Sequence, residues 1–323
     1  MIGILLWRAG LDPTVIVGTK VKEFGNSNCR VGKGKYLVIE ADEHFGSFLN
    51  YSPTIAVITN IERDHLDYYK TLGNIKKAFK AFIAKLPKGG TLVINKDDKE
   101  AKTIVPRKHP YAVAWYTTRD KDAKHLTSVM RLPGKHNVSN AMAALRVART
   151  LGVTDKVSFA SLSSYQGSWR RFETFKLQTP KPYTLVSDYG HHPTEIKVTV
   201  QAAREKWPKK KIWLVFQPHQ YQRTFYLWKD FVKVLSTLPV ERLILTDIYD
   251  VAGREGEGLY KKVSSAKLAR TLQERKLEYE VLHIPTLLET EKFLRKTIRG
   301  QEVVMVMGAG DIYNLTLKLT KEG

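Results

Sequence analysis

Cysteine is all but missing from this chain of 323 residues: Cys29 stands alone. An intramolecular disulfide is therefore excluded, and with it the stapled secreted scaffold. Long apolar runs are missing too. IWLVF at 212–216 and VVMVM at 303–307 are strand-length, far short of the roughly 18 residues that cross a bilayer. No arginine-flanked apolar leader with a small-residue cleavage site opens the sequence, so the reducing cytoplasm is the expected compartment, with no membrane partner. Acidic residues are in deficit, 32 Asp and Glu against 53 Lys and Arg, for a net charge of +21. That surplus predicts attraction to anionic substrates or polyanions. Its lysines are spread, however, as in Lys76, Lys77, Lys80, Lys85 and the run Lys209, Lys210, Lys211. No nucleic-acid recognition motif accompanies them, so a solvated face is favoured over a nucleic-acid surface by about three to one. Internal repeats and low-complexity tracts are also absent.

What is present is enough apolar material, 43% of residues, for two ordinary domains with a core each. Short β-branched runs alternate with helical patterns, the signature of an α/β fold with parallel strands covered by helices. In the first half, strands are expected at 35–40, 55–59, 91–94 and about 111–116, with helices near 72–86 and 137–151. In the second half, strands are expected at 173–178, 183–187, 211–216, 242–246 and 302–307. Its helices are expected near 193–206, 222–236, 263–275, 286–298 and 311–320. Residues 158–169 (SFASLSSYQGSW) are rich in small polar residues and read as the link, placing domains at 1–166 and 167–323 with the boundary close to Gly167. Residues 2–9 read as the end of an amphipathic helix, which suggests a domain lacking its first piece.

Chemistry concentrates just after strands, where doubly wound sheets hold their ligands. IEADEHFGSF (39–48) carries Glu40, Asp42 and Glu43, and ITNIERDHLDYY (58–69) carries Asn60, Asp64, His65 and Asp67. Such groups suit a hard cation such as magnesium. The plainer alternative is solvated charge at 40–43, and a helix cap at Asp64 or Asp67. LPGKHNVSNAMAA (132–144) opens a helix with His136, Asn137 and Asn140, where backbone and side-chain amides can meet a nucleotide, or where Asn137 is only a cap. WRRFE (169–173) offers Arg170 and Arg171 to a phosphate or to an ion pair. SDYGHHPTEI (187–196) sets Asp188, His191 and His192 at a strand-to-helix turn, and FQPHQYQRT (216–224) presents His219 and Arg223 in the same setting. TDIYDVAGREGEG (246–258) and VMGAGDI (306–312) follow strands as well.

In this order and at these intervals, the segments EADExxxSFL, TNIxxDHLDxY, PGKHNxxNAxAA, RRFE, DYGHHPTEI, FQPHxYxRT, TDIY and MGAGDI resemble the Mur ligase family across essentially the whole chain. The DYGHHPTEI and FQPH segments favour the branch that adds L-alanine. The resemblance implies a truncated central ATPase-type parallel-sheet domain followed by a Rossmann-like C-terminal domain. It implies ATP-dependent joining of L-alanine to UDP-N-acetylmuramate through an acyl phosphate, in peptidoglycan precursor synthesis. ATP and magnesium would be the cofactors. Glu40 and His65 would hold magnesium, with Glu43 a weaker candidate. Asn140 would read adenine with His136 beside it, Arg171 would meet phosphate, and Asp188 would bind the ribose. His191, His219 and Arg223 would orient L-alanine or the acyl phosphate.

Three departures qualify the resemblance. No GxxxxGK[ST] phosphate loop stands in the sequence, and GKGK at 32–35 lacks its spacing and hydroxyl. The expectation is therefore a chain without the phosphate loop and UDP-binding domain, inactive alone. The alternatives are a non-catalytic binder or one subunit of a split ligase whose phosphate loop comes from a separate chain. Gln220 stands where a basic residue is usual, which touches amino-acid specificity. The stretch 116–132 is short, which predicts a smaller central domain.

Overall fold

Strand-forming and helix-forming segments sort into two units, Met1–Trp169 and Arg170–Gly323, in a computed structural model that describes residues 1–178, 181–251 and 258–321. The class is mixed α/β with parallel sheets. Among the described residues no helix is long and apolar enough to cross a membrane.

The first unit holds two three-stranded sheets rather than one continuous sheet. In one, β1 (Thr14–Val21) lies between β2 (Ser27–Arg30), antiparallel to it, and β3 (Leu37–Ile39), parallel to it. In the other, β4 (Ile55–Ile58), β5 (Thr91–Asn95) and β6 (Ala112–Tyr116) run parallel with β5 in the middle. Every residue of β5 is buried, as expected of a central parallel strand covered on both faces. The helices are α1 (Ile2–Arg8), α2 (Leu66–Tyr69), α3 (Leu72–Ile83), α4 (Lys99–Ile104), α5 (Lys121–Val129), α6 (Lys135–Thr150) and α7 (Asp155–Ser163). Both sheets share one helical layer. Val38 of β3, Val57 of β4 and Val93 of β5 join Leu5 and Leu6 of α1 and Ala141, Met142, Leu145 and Ala148 of α6 in one apolar cluster. The spacing of those α6 residues puts them on one face, and Gly152, left-handed at φ +75°, follows the end of the helix.

One expectation fails in this unit. Residues 158–169 are not a simple link, because their first part belongs to α7, which packs on α1 and α6. Small size lets α7 approach closely, and polarity is no obstacle because Ser158 Oγ donates to Thr154 O at 3.0 Å inside the helix. The short stretch 116–132 forms α5. It is tied down by Arg146 to Asp120 (3.0 Å) and by Arg149, which pairs with Asp122 (2.7 Å) and with Asp155 at the start of α7 (2.8 Å). The GKGK stretch has a purely structural explanation. Gly34 N donates to Asp12 O at 2.8 Å, and a Cβ at Gly34 would lie 2.0 Å from Leu11 O.

The second unit is one six-stranded sheet in the order β11-β10-β9-β12-β8-β7. Its strands are β7 (Glu173–Leu177), β8 (Tyr183–Asp188), β9 (Ile212–Phe216), β10 (Arg242–Leu245), β11 (Glu280–His283) and β12 (Val303–Met307). Only β7 is antiparallel, at the edge. The helices are α8 (Pro193–Lys206), α9 (Tyr221–Tyr226), α10 (Trp228–Leu235), α11 (Ser265–Gln273), α12 (Leu287–Thr297) and α13 (Tyr313–Lys321). The single helix expected over 222–236 breaks at Leu227, whose φ of −104° and ψ of 16° end α9 as its side chain turns into the core. In register, Met307 pairs with both Asp188 and Phe216, so β8, β9 and β12 end at one edge of the sheet. Part of the segment 246–258 lies outside the described residues.

Candidate functional site

In the first unit the loop after β3 and the loop after β4 meet. The first passes through Asp42 and Glu43 into a 3-10 turn over His44–Asn50, where Phe45 (φ 53°) and Gly46 (φ 68°) adopt left-handed backbone. The second reaches His65, itself left-handed at φ 49° and ψ 40°, immediately before α2. Left-handed backbone at a non-glycine residue costs about 1 kcal/mol or more and persists only where the surroundings impose it. Here Asp64 Oδ1 accepts from His65 N at 2.8 Å, and Tyr69 OH donates to Glu43 O, joining the two loops. His65 Nε2 lies 3.6 Å from Glu43 Oε1 and 3.9 Å from Asp64 Oδ2. Two sets of ligand atoms lie within 4.8 Å of one another: Asp42, Glu43 and His65, and His44, His65 and Asp67. Burial lifts the Glu43 carboxyl above its usual range, and the neighbouring Asp42, Asp64 and Glu40 carboxylates push the same way. Burial likewise pushes the Tyr69 hydroxyl up to about 12.

Glu40, expected to share a metal with His65, has a different partner in this structure. Glu40 Oε2 accepts from Gly18 N on β1 at 2.7 Å, so Glu40 is directed along its own sheet, and Glu43 stands beside His65 instead. Asp67, read from the sequence either as a cation ligand or as a helix cap, lies near His65 together with His44, which the sequence reading did not single out. Alternation cannot reveal either, because the contact spans two loops.

On α6, Asn140 is exposed and His136 half-buried. Asn137 is not the cap. Its amide donates to Pro133 O at 2.7 Å and holds the preceding turn, while Gly134 occupies the cap position.

In the second unit the predicted residues form a connected chain. Asp188, at the end of β8, is buried, and its two oxygens accept from Gly190 N and Phe172 N, each at 2.8 Å. Burial raises its carboxyl to about 6 in spite of those bonds and of nearby Arg171. Arg171 Nη1 reaches Glu195 Oε1 at 3.3 Å, and Glu195 Oε2 accepts from His191 N (2.9 Å) and His192 N (3.1 Å). Burial opposes ionisation of Glu195, yet His191, Arg171 and the two backbone donors outweigh it and hold the carboxyl near 2. His192 caps α8, its Nδ1 accepting from Thr194 N at 3.2 Å, with Pro193 in the first turn. The His191 ring sits 5.5 Å from that of His219, which stacks on Tyr249 at 5.6 Å. Arg223 Nη1 is 3.2 Å from His219 Nδ1. A guanidinium only donates, so Nδ1 must accept and the His219 proton sits on Nε2.

Three further residues were not singled out for the part they play here. The Gln217 amide donates to Asp311 Oδ1 at 2.8 Å and accepts from Ile312 N at 3.1 Å, bracing the loop after β12. Gly310 lies under Tyr249, where a Cβ would come within 2.3 Å of the ring. Arg170 is buried, donates to Gly308 O and lies over the rings of Tyr189 (5.1 Å) and Tyr313 (5.0 Å), so it holds the loops while Arg171 alone stays half-exposed.

Carboxylates, imidazoles and guanidiniums carried at the ends of parallel strands define the class of α/β enzyme. Comparison with known proteins is more specific. Residues 26–148 match the Mur ligase middle domain and residues 170–310 the Mur ligase, glutamate ligase domain. The UDP-N-acetylmuramate–L-alanine ligase of Sulfurihydrogenibium sp. is 35% identical over 99% of this chain and 72% of its own length. The enzymes of that name from Desulforapulum autotrophicum and Aquifex aeolicus are 37% and 36% identical over 98% and 100% of this chain, and 72% of each relative. The crystal structure of UDP-N-acetylmuramate–alanine ligase from Thermotoga maritima superposes with a TM-score of 0.75 at 22% identity, covering 99% of this chain and 71% of that one. The chain belongs to the Mur ligase family.

Proposed function

We propose that these residues form the middle and C-terminal domains of an ATP-dependent ligase that joins L-alanine to UDP-N-acetylmuramate through an acyl phosphate, in peptidoglycan precursor synthesis. One observation carries the proposal: identity of 35–37% along virtually the whole chain to relatives bearing that name. In support, MurF from Thermotoga maritima, which shares the fold with a TM-score of 0.68, was solved with ADP.

The residue roles are those the family resemblance implies, and the chemistry of each group is compatible with them. A divalent cation suits the donor set at the ends of β3 and β4, where Glu43 and His65 would hold it and Glu40 would complete the oxygen ligands by leaving Gly18. When bound, the cation offsets the charge of the transferring phosphoryl group. Asn140 offers an exposed amide with both donor and acceptor to adenine, with His136 one turn away on α6. Arg171, half-exposed, would bring its guanidinium to a phosphate oxygen. The Asp188 oxygens each keep a lone pair for a ribose hydroxyl, though their first task is to anchor residues 172 and 190. His219 is held through its Nδ1 by Arg223, which supplies fixed positive charge beside it. Together with His191 they suit the carboxylate of L-alanine or the acyl phosphate. Gln220 weakens that positive field relative to a basic residue, so a lowered affinity for L-alanine is expected.

The 323 residues contain no GxxxxGK[ST] loop, so we expect them not to turn over by themselves. Calorimetric titration with ATP and magnesium, then with L-alanine, is the test. Binding of nucleotide weakened by R171A, and of L-alanine weakened by R223A, is expected. No nucleotide binding, or tighter binding of D-glutamate than of L-alanine, overturns the assignment. Phosphate release above background from ATP, L-alanine and UDP-N-acetylmuramate overturns the expectation of inactivity.

A further inference from the structure

We infer that Tyr249 is a positioning residue for the L-alanine end of the site: its ring, backed by the loop after β12, fixes the imidazole of His219, and Gly310 leaves the room that this requires. The inference deepens the proposal that His219 meets L-alanine or the acyl phosphate, and rests on it.

Two links tie Tyr249 to His219, one through the backbone and one through the rings. Beyond the ends of β9 and β10 the chain continues in a parallel bridge between His219 and Tyr249. In it Tyr249 N donates to Pro218 O at 2.8 Å and Gln220 N donates to Tyr249 O at 2.9 Å. The second bond holds Gln220 at φ 68°, left-handed backbone that a glutamine keeps only where its surroundings impose it. Gln220 is also the residue before α9, the helix that carries Arg223. The rings of His219 and Tyr249 lie 12° from parallel with 5.6 Å between centroids, the offset stack that aromatic pairs favour.

The backbone bridge alone leaves the imidazole free to turn about its side-chain bonds, and the tyrosine ring removes that freedom. Arg223 Nη1, 3.2 Å from His219 Nδ1, then selects which nitrogen accepts. The tyrosine ring is itself held in place. A Cβ at Gly310 would lie 2.3 Å from Tyr249 Cγ and 2.7 Å from its Cβ and Cδ2, so the loop backbone stands directly against the side chain. That loop cannot easily retreat, because the Gln217 side chain donates to Asp311 Oδ1 at 2.8 Å and accepts from Ile312 N at 3.1 Å. The path closes on itself. Gln217 braces the loop, the loop backs Tyr249, and Tyr249 fixes His219, two residues along the chain from Gln217.

Side-chain nitrogen NMR of the full chain reads the His219 tautomer directly, at a pH where imidazoles are neutral and with the signal assigned through H219N. Calorimetry with L-alanine reads the consequence. The unaltered chain is expected to hold His219 in one tautomer, with the proton on Nε2. Y249F keeps the ring and its stack, and is expected to match the unaltered chain in both measurements. Y249L and G310A are each expected to show averaging between tautomers and to weaken L-alanine by about three- to tenfold, the worth of one aromatic pair. In a Y249G background, adding G310A is expected to change both readings far less, because the new methyl then meets no side chain at position 249. A single tautomer retained in Y249L, or a G310A effect as large in the Y249G background as in the unaltered chain, overturns the inference. Failure of the unaltered chain to bind L-alanine defeats the ligase reading instead, while the tautomer measurement still decides whether Tyr249 positions His219.

Discussion

The two units solve the same problem of carrying charged groups at strand ends in different ways. The second builds on a single sheet, and its charged groups are linked one to the next: Arg171 to Glu195, Glu195 to His191, and Arg223 to His219. The first has two small sheets, and its ligand candidates meet where two loops in left-handed backbone conformations touch. A linked chain is set before any ligand arrives. A loop-on-loop cluster leaves ligand atoms up to 4.8 Å apart and needs an ion to draw them in. The second unit is thus organised for orientation and the first for closure.

The sharpest way to break this contrast is to remove an anchor in the second unit. R170A deletes a buried guanidinium with its carbonyl bond and two ring contacts, and is expected to cost about 3 kcal/mol. Hydrogen exchange should show the loss in residues of the second unit and not in β5. The matched change in the first unit is L145A, expected at about 2–4 kcal/mol from a fully buried position. Its loss of protection should be confined to α1, α6 and β5. If either variant opens both units together, the units are not independent. Urea unfolding followed by exchange decides.

Acid dependence is the next largest effect. Glu195 lies at about 2, below its ordinary 4.5, so its contribution is present above pH 4.5 and fades as pH falls toward 2. Asp188 lies near 6, above its ordinary 3.8, so its contribution is present below pH 3.8 and fades as pH rises through 6. Taken together, these two groups make the second unit most stable near pH 4, with a decline as pH rises toward 6 and another as it falls toward 2. E195Q should cost about 1–2 kcal/mol at pH 7, discounted because a third of the side chain meets solvent, and should abolish the decline below pH 4.5. A pH–stability curve unchanged by E195Q contradicts the linked-charge view. The smallest effect belongs to α7: S158A removes only a hydroxyl bond within the helix, and a change beyond about 0.5 kcal/mol in the unfolding midpoint would mean that the serine does more than fill space.

Legibility in the sequence followed the same divide. In the second unit the apolar runs at 212–216 and 303–307 are strands, and Pro193 with Glu195 marks the start of α8, because each signal is local. In the first unit β1 was not anticipated, and α7 was taken for a link. Serine looks like loop composition until the helices on either side are known. The residues at the strand ends were legible as chemistry, since acids and histidines directly after apolar runs are uncommon in a core. Their partners were not. Whether His65 faces Glu40 or Glu43 depends on where the carboxylate of Glu40 finds a donor, and Gly18 N supplies it from 22 residues away in sequence.

Local covalent and periodic preferences, together with motif order, were sufficient by themselves to establish the α/β class, most of the elements of the second unit and the family. Tertiary structure alone decided the splitting of the first sheet, the burial of Arg170 beside an exposed Arg171, the proton position on His219 and the meeting of His44 with His65. Those outcomes depend on distances of 3–4 Å between residues far apart along the chain, and a hydrogen bond or ligand set has no period for a sequence to display.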